Sequence, residues 1–146
     1  TNSAAETLTR LVNMGIPSFN IASSVSLIIA QRLVRKLCES CKTIRDDVTV
    51  KSLIELGFNE EDAKTMQIYK AGGCSLCTNG YRGRIGLFEV LTMSKELGRI
   101  IMSGGNSLDI LQQAQLEGML TVYQAGLEKI KEGITTIEEV NRVTVD

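Results

Sequence analysis

The stretch Ile29–Cys41, IAQRLVRKLCESC, decides how this chain is organised. From Ser26 to Leu37 the residues alternate with a period of two. Leu27, Ile29, Gln31 and Leu33 fall on one face, and Ile28, Ala30, Arg32 and Val34 on the other, which predicts a β-strand. The strand delivers the chain into a knuckle, Cys38-Glu39-Ser40-Cys41. A second knuckle, Cys74-Ser75-Leu76-Cys77, follows after residues 42–73, and the two together hold all 4 cysteines of the chain. A Cys-x-x-Cys turn presents two sulfurs from one tight loop, so two such turns supply the four soft ligands of a tetrahedral Zn²⁺. Cys38, Cys41, Cys74 and Cys77 are therefore the candidate zinc ligands. Four protein ligands close the coordination sphere and leave no position for a catalytic water, so the expected metal is structural. Disulfides and a thioredoxin-like redox pair are the competing readings. No segment resembles a signal peptide or a membrane span, and a reducing cytosol favours free thiolates over disulfides.

The strand resumes on the far side of the second knuckle. Thr78-Asn79-Gly80 is turn chemistry, and Arg82–Leu91, RGRIGLFEVL, is rich in β-branched, aromatic and aliphatic residues. The insert thus leaves from the end of one strand and returns at the start of another. This is a hairpin whose connecting turn is expanded into a metal-stapled module. Within the insert, Val50–Leu56 ended by Gly57, and Glu60–Met66 capped by Asn59, read as two short helices, and Gln67–Lys70 as extended chain. The segment 38–80 is too small to bury a core of its own and is expected to depend on metal to fold.

The flanks are helical. Thr1-Asn2-Ser3 is capping chemistry ahead of Ala4, Ala5, Leu8, Leu11 and Val12 at helical spacing, with Gly15 and Pro17 as stops and a second short helix over Ser18–Ser24. After the return strand, Ser94 caps Lys95–Met102 and Ser107 caps Leu108–Glu117. Thr121 with Gln124 and Thr136 with Glu139 form two capping-box patterns. The fold class predicted is α/β, mostly helical with a small sheet. It is organised as 1–37 (helices and a strand), 38–80 (tetracysteine module), 81–93 (return strand) and 94–146 (helical subdomain).

Composition narrows the function. The 146 residues are 43% hydrophobic and carry 16 basic and 17 acidic side chains, a net charge of −1 with aromatics at only 4%. That balance argues against a zinc-ribbon nucleic-acid module, which would show a basic face with aromatics. The chain has no His, which removes every mechanism that uses one as general base. There is no Gly-x-x-x-x-Gly-Lys-Ser/Thr loop to cradle a triphosphate. Gly80, Gly83 and Gly86 are spaced as turn and strand-bend glycines, not as a dinucleotide fingerprint. No nucleophile and base pair stands out, so no catalytic residue is assigned. Arg35, Lys36 and Lys42 beside the first knuckle would offset the thiolate charge, with a solvated basic edge as the equally open alternative.

Three stretches, IAQRLVRKLCESC, CSLCTNGYRGRIGLFEV and GITTIEEVNRVT, closely resemble the C-terminal part of the hexameric ATPases of secretion and pilus assembly. The resemblance covers essentially the whole chain. It is strongest to the extension motors of type IV pili, with type II secretion motors as near relatives. It implies a portion of a longer motor: the end of a RecA-like ATPase core, a zinc-bearing subdomain and a C-terminal helical subdomain. The Walker motifs and the His-box histidine would precede Thr1, so ATP and Mg²⁺ would bind only in the full-length parent. The implied setting is the bacterial cytoplasm, peripheral to the inner membrane. The implied partners are other subunits of a homo-hexamer, an inner-membrane platform protein and a PilZ-type regulator, with no direct membrane insertion. Arg82 and Arg84 match the family's Gly-Tyr-Arg-Gly-Arg position, where arginines would contact a neighbouring subunit or nucleotide phosphates; pairing with Glu89 is the simpler alternative. Leu8, Leu11, Phe19 and Ile21 are expected to be exposed without the ATPase core and so to offer a regulator docking surface.

Overall fold

The computed structural model describes residues 3–144, and the elements run in chain order as follows. Helix α1 (Ala4–Asn13) starts where the Ser3 hydroxyl accepts the Glu6 N–H. Thr1 and Asn2 of the predicted cap lie outside the described residues. After Pro17 comes α2 (Ser18–Ser24), then β1 (Leu27–Leu37) and β2 (Thr43–Arg45). Helix α3 (Val50–Leu56) is capped by Thr49 and stopped by Gly57, whose φ of 121° a side-chain-bearing residue rarely adopts. Helix α4 (Glu60–Thr65) is capped by Asn59, and β3 (Ile68–Lys70) follows. The return strand β4 (Tyr81–Thr92) leads to α5 (Lys95–Met102), capped by Ser94. Helix α6 (Ser107–Leu116), α7 (Val122–Lys131) and α8 (Ile137–Thr144) complete the chain. The protein is α/β, with eight helices among the described residues.

Strand β1 pairs with β4. The hydrogen bond from Cys38 N–H to the Gly80 carbonyl, 2.9 Å, and that from Met93 N–H to the Ser26 carbonyl, 2.9 Å, match the two strands in opposite order, so they run antiparallel. The second sheet was not expected. Strand β2 pairs antiparallel with β3 through Thr43↔Lys70, Ile44↔Tyr69 and Arg45↔Ile68. Its three-residue strands are too short to show a periodicity in the sequence.

Two compact units divide the chain at β1 and β4. The first comprises residues 1–31 and 88–122, around Ala4, Leu8, Ile21, Leu91, Leu97, Ile101 and Ile110. Leu8 is fully buried and Ile21 is 2% exposed, because both sit on the inward stripes of their helices. This corrects the expectation that they would be exposed, and neither can serve as a docking surface. Leu11 packs partly against the same core, and only Phe19, 65% exposed, projects into solvent. Glu89 is buried here. Its carboxylate accepts the Ala4 N–H at 2.7 Å and the Val122 N–H at 3.2 Å, and so sits at the N-termini of α1 and α7. It is therefore not a partner for Arg82 or Arg84. Helix α6 is capped one residue earlier than predicted, by Asn106 in a full capping box with Asp109 rather than by Ser107.

The second unit comprises residues 32–87 and 123–146. The insert does not stand alone: Leu53, Phe58, Ala63 and Ile68 share one core with Leu127, Ile130 and Val140 of α7 and α8. A Cβ on Gly126 would come within 2.5 Å of Val140 Cγ1, so α7 and α8 approach closely there. The residues leading into α8 bind β1 directly. Leu37 N–H donates to the Ile134 carbonyl at 2.8 Å, and the Thr135 hydroxyl donates to the Arg35 carbonyl at 2.8 Å. Only half of the predicted Thr136/Glu139 capping box is made. The Thr136 hydroxyl accepts the Glu139 N–H at 3.1 Å, but the Glu139 carboxylate turns to β1 instead, where it accepts the Arg35 N–H at 2.8 Å. Among the described residues, no helix is long and apolar enough to cross a membrane.

Candidate metal centre

The knuckles meet because two strand ends and two glycines bring them together. Leu37 ends β1, and the Cys38 N–H is tied to the Gly80 carbonyl just ahead of β4. The first knuckle closes as Cys41 N–H and Lys42 N–H both donate to the Cys38 carbonyl, at 3.3 and 3.0 Å. A Cβ on Gly72 would lie 2.3 Å from the Cys41 carbonyl oxygen, so only glycine lets the returning chain pass the first knuckle. Asn79 and Gly80, with φ of 53° and 91°, make the turn after the second.

The four Sγ atoms lie within 4.8 Å of one another. Cys38 to Cys74 is 3.8 Å, Cys41 to Cys77 3.7 Å and Cys74 to Cys77 3.6 Å. A tetrahedral ion with sulfur ligands at about 2.3 Å requires sulfurs about 3.8 Å apart, whereas a disulfide requires about 2 Å. The donor set therefore fits Zn²⁺ or a similar soft divalent ion, and all four cysteines are free thiols. Their acidities are mutually dependent. Burial, with hydrogen bonds to Cys77, Cys38 and Cys74, pushes the Cys41 thiol up to about 12. Burial also pushes Cys77 up, but hydrogen bonds with the Cys74 backbone and the thiols of Cys74 and Cys41 outweigh it and bring Cys77 down to about 7. Four thiols this close cannot all ionise by themselves, and a divalent cation is what makes four thiolates compatible.

Of the basic residues beside the first knuckle, two are engaged elsewhere. Lys42 Nζ donates to the Gly133 carbonyl at 3.0 Å and to Glu39 at 3.0 Å, and lies over the Tyr69 ring. Arg35 forms a bidentate pair with Glu139 at 3.0 and 2.9 Å and lies 4.2 Å from the Tyr81 ring centroid. Arg142 clasps the same carboxylate from α8 at 2.9 and 3.0 Å. Burial pushes the Glu139 carboxyl up, but the hydrogen bonds from Arg142, the Arg35 side chain and the Arg35 backbone outweigh it and hold it at about 2. The sequence pattern concealed this group, because Thr-x-x-Glu is also the signature of a capping box.

Arg82 and Arg84 are exposed and make no ion pair among the described residues. With Arg35, Tyr81 and the turn from Ser75 to Thr78 they line an open concavity of about 570 Å³. The candidate ligand Cys77 belongs to the same wall, so the structure brings together two features that the sequence analysis treated apart.

Comparison with known proteins follows the same lines. The profile of the Type II/IV secretion system protein family matches residues 1–142. The chain belongs to that family. It is 53% identical over 146 residues to the type IV pilus assembly ATPase PilB of Pseudomonas aeruginosa, covering 100% of this chain and 26% of that protein. Identity to PilB of Myxococcus xanthus is 38% over 141 residues, 96% of this chain and 25% of the relative. The type II secretion system protein E of Pseudomonas aeruginosa is 37% identical over 146 residues, 99% of this chain and 28% of the relative. As a member of the Type II/IV secretion family, the chain spans about a quarter of the length of such curated relatives.

Proposed function

We propose that this chain is the C-terminal portion of a hexameric ATPase that powers type IV pilus assembly, and that Cys38, Cys41, Cys74 and Cys77 hold a structural Zn²⁺ in it. The convergence of four thiols at tetrahedral spacing, where an insert leaves β1 and returns to β4, carries the metal reading. The relatives named for pilus assembly carry the motor reading. The ion would supply four strong bonds that close the ends of a long insert, and no open position for chemistry. The portion itself is non-catalytic in this reading. ATP and Mg²⁺ would bind to the preceding part of the RecA-like core in the cytoplasmic parent. This chain would contribute shape together with contacts to neighbouring subunits, to the inner-membrane platform protein and to a PilZ-type regulator. Phe19 is the one predicted docking residue whose side chain is free to make such a contact. Arg82 and Arg84, exposed and without an ion pair among the described residues, would meet phosphate oxygens or a neighbouring subunit.

The deciding experiment is elemental analysis after purification without added zinc, together with an ATPase assay of the same sample. About one zinc per chain and no turnover are expected. Metal-free, folded protein would refute the metal reading, and turnover that survives rigorous purification would refute the non-catalytic one. The identity to a type II secretion motor supports a second reading, the equivalent part of a secretion ATPase. Restoration of piliation rather than secretion by the full-length protein separates the two.

A further inference from the structure

The arginine concavity and the thiol cluster are two sides of one turn. The segment Ser75–Thr78 lines the concavity together with Arg82 and Arg84, and Cys77 within it belongs to the thiol cluster. The far end of the turn is bolted to the start of β4. Thr78 N–H donates to the Tyr81 carbonyl at 2.9 Å, and Tyr81 N–H to the Thr78 carbonyl at 3.0 Å. On the other side the turn runs into the thiol cluster through Cys74 and Cys77. Among the described residues, no carboxylate lines the concavity. The third arginine, Arg35, is already held by Glu139, so the free donors are the guanidiniums of Arg82 and Arg84, one on each side of Gly83. Two guanidinium forks lining one concavity with Ser75 and Thr78 suit the several acceptor oxygens of a phosphoryl group.

Resting on the zinc reading above, we propose that metal occupancy and phosphoryl binding in this concavity are positively coupled, each strengthening the other. Two effects oppose one another here. A four-thiolate zinc site carries net negative charge and repels an anion. That repulsion acts through an open, wetted concavity, where the high dielectric of water weakens it and salt screens what reaches beyond about 8 Å. The ion meanwhile fixes the backbone of the wall, removing conformational freedom that anion binding would otherwise have to remove itself. Preorganisation outweighs screened repulsion, so the coupling is positive, and it grows as salt rises even though anion affinity itself falls.

The test is titration of the 146-residue chain with phenyl phosphate, a monoester that competes poorly for zinc, followed by ³¹P NMR or calorimetry. Zinc-loaded protein is expected to bind at least about fivefold more tightly than chelator-stripped protein. By reciprocity, phenyl phosphate should raise zinc affinity by the same factor in a chelator competition. The exposed pair Arg82→Ala/Arg84→Ala should keep its zinc and lose both effects. Adenosine monophosphate in parallel separates sources: tighter binding than phenyl phosphate identifies a nucleotide, and equal binding a phosphoryl group in general. Equal phosphate affinity with and without zinc overturns the coupling while leaving both sites standing. Failure to take up zinc overturns the metal reading beneath it. Binding of an acidic peptide but not of phenyl phosphate overturns the proposal in favour of a protein contact.

Discussion

Glu139 shows how much one side chain can carry. A carboxylate 2% exposed is costly to bury, yet this one collects a backbone N–H and two guanidiniums, joining α8 to β1. Its folded-state pKa of about 2 lies below its ordinary 4.5. The stabilisation is therefore complete above about pH 4.5 and lost as pH falls through 2. Because both arginine side chains are about half exposed, at 43% and 55%, the contribution is put at about 2 kcal/mol, below the full linkage value. Denaturation of the native protein and of Glu139→Gln should differ by that much at pH 7, by less below pH 4.5, and converge only as pH falls below 2. A constant difference across that range would show that Glu139 acts by packing alone. Gly72 carries a second prediction at this scale. Its missing Cβ makes room for the Cys41 carbonyl, and Gly72→Ala must push the knuckles apart. Zinc affinity measured by chelator competition should fall at least tenfold, equivalent to about 1.4 kcal/mol, while the far more open Gly73→Ala changes little. Equal affinities in the two variants would refute the close-approach account.

Among the elements, those set by local chemistry were legible and those set by partners were not. The helices α4 and α5 begin at the capping residues Asn59 and Ser94 and α3 ends at Gly57, all readable in the sequence, whereas the Thr49 cap of α3 was not read there. The strand flanking each knuckle was readable from its period and composition, and the convergence of the four cysteines from their spacing. Sequence alone could not show that the insert's apolar residues would find their core in α7 and α8, more than fifty residues later, because amphipathic spacing names a face but not what covers it. The same ignorance made Leu8 and Ile21 look exposed and turned Glu139 into a cap. The shared core has a measurable consequence. Leu53→Ala in α3 should cost about 2–4 kcal/mol, because it opens a cavity between the insert and the C-terminal helices. Amide exchange in α7 and α8 should rise in this variant as much as in α3 itself. Protection unchanged in those helices would mean the insert folds as a separate module.

Across the whole molecule, the four cysteines all fall in one of the two units. The unit formed by 1–31 and 88–122 holds its own core, satisfied helix starts at Ser3, Ser94 and Asn106, and a buried Glu89 that is hydrogen-bonded within it. Nothing in that list depends on a metal. In the other unit the short sheet β2–β3 and the helices α3 and α4 lie between the knuckles, and a cross-link at both ends would remove much of the freedom of that long loop. Stripping the metal should therefore act on one unit and not on the other. Hydrogen exchange with mass analysis, before and after a strong chelator, should show protection lost over 38–80. It should also be lost over 123–144, which contains no cysteine and would respond only through the shared core. Protection over 4–25 and 94–120 should persist. Loss confined to the knuckles would mean that the apolar core holds this unit without the ion. Loss throughout the chain would mean that the two units fold as one cooperative body.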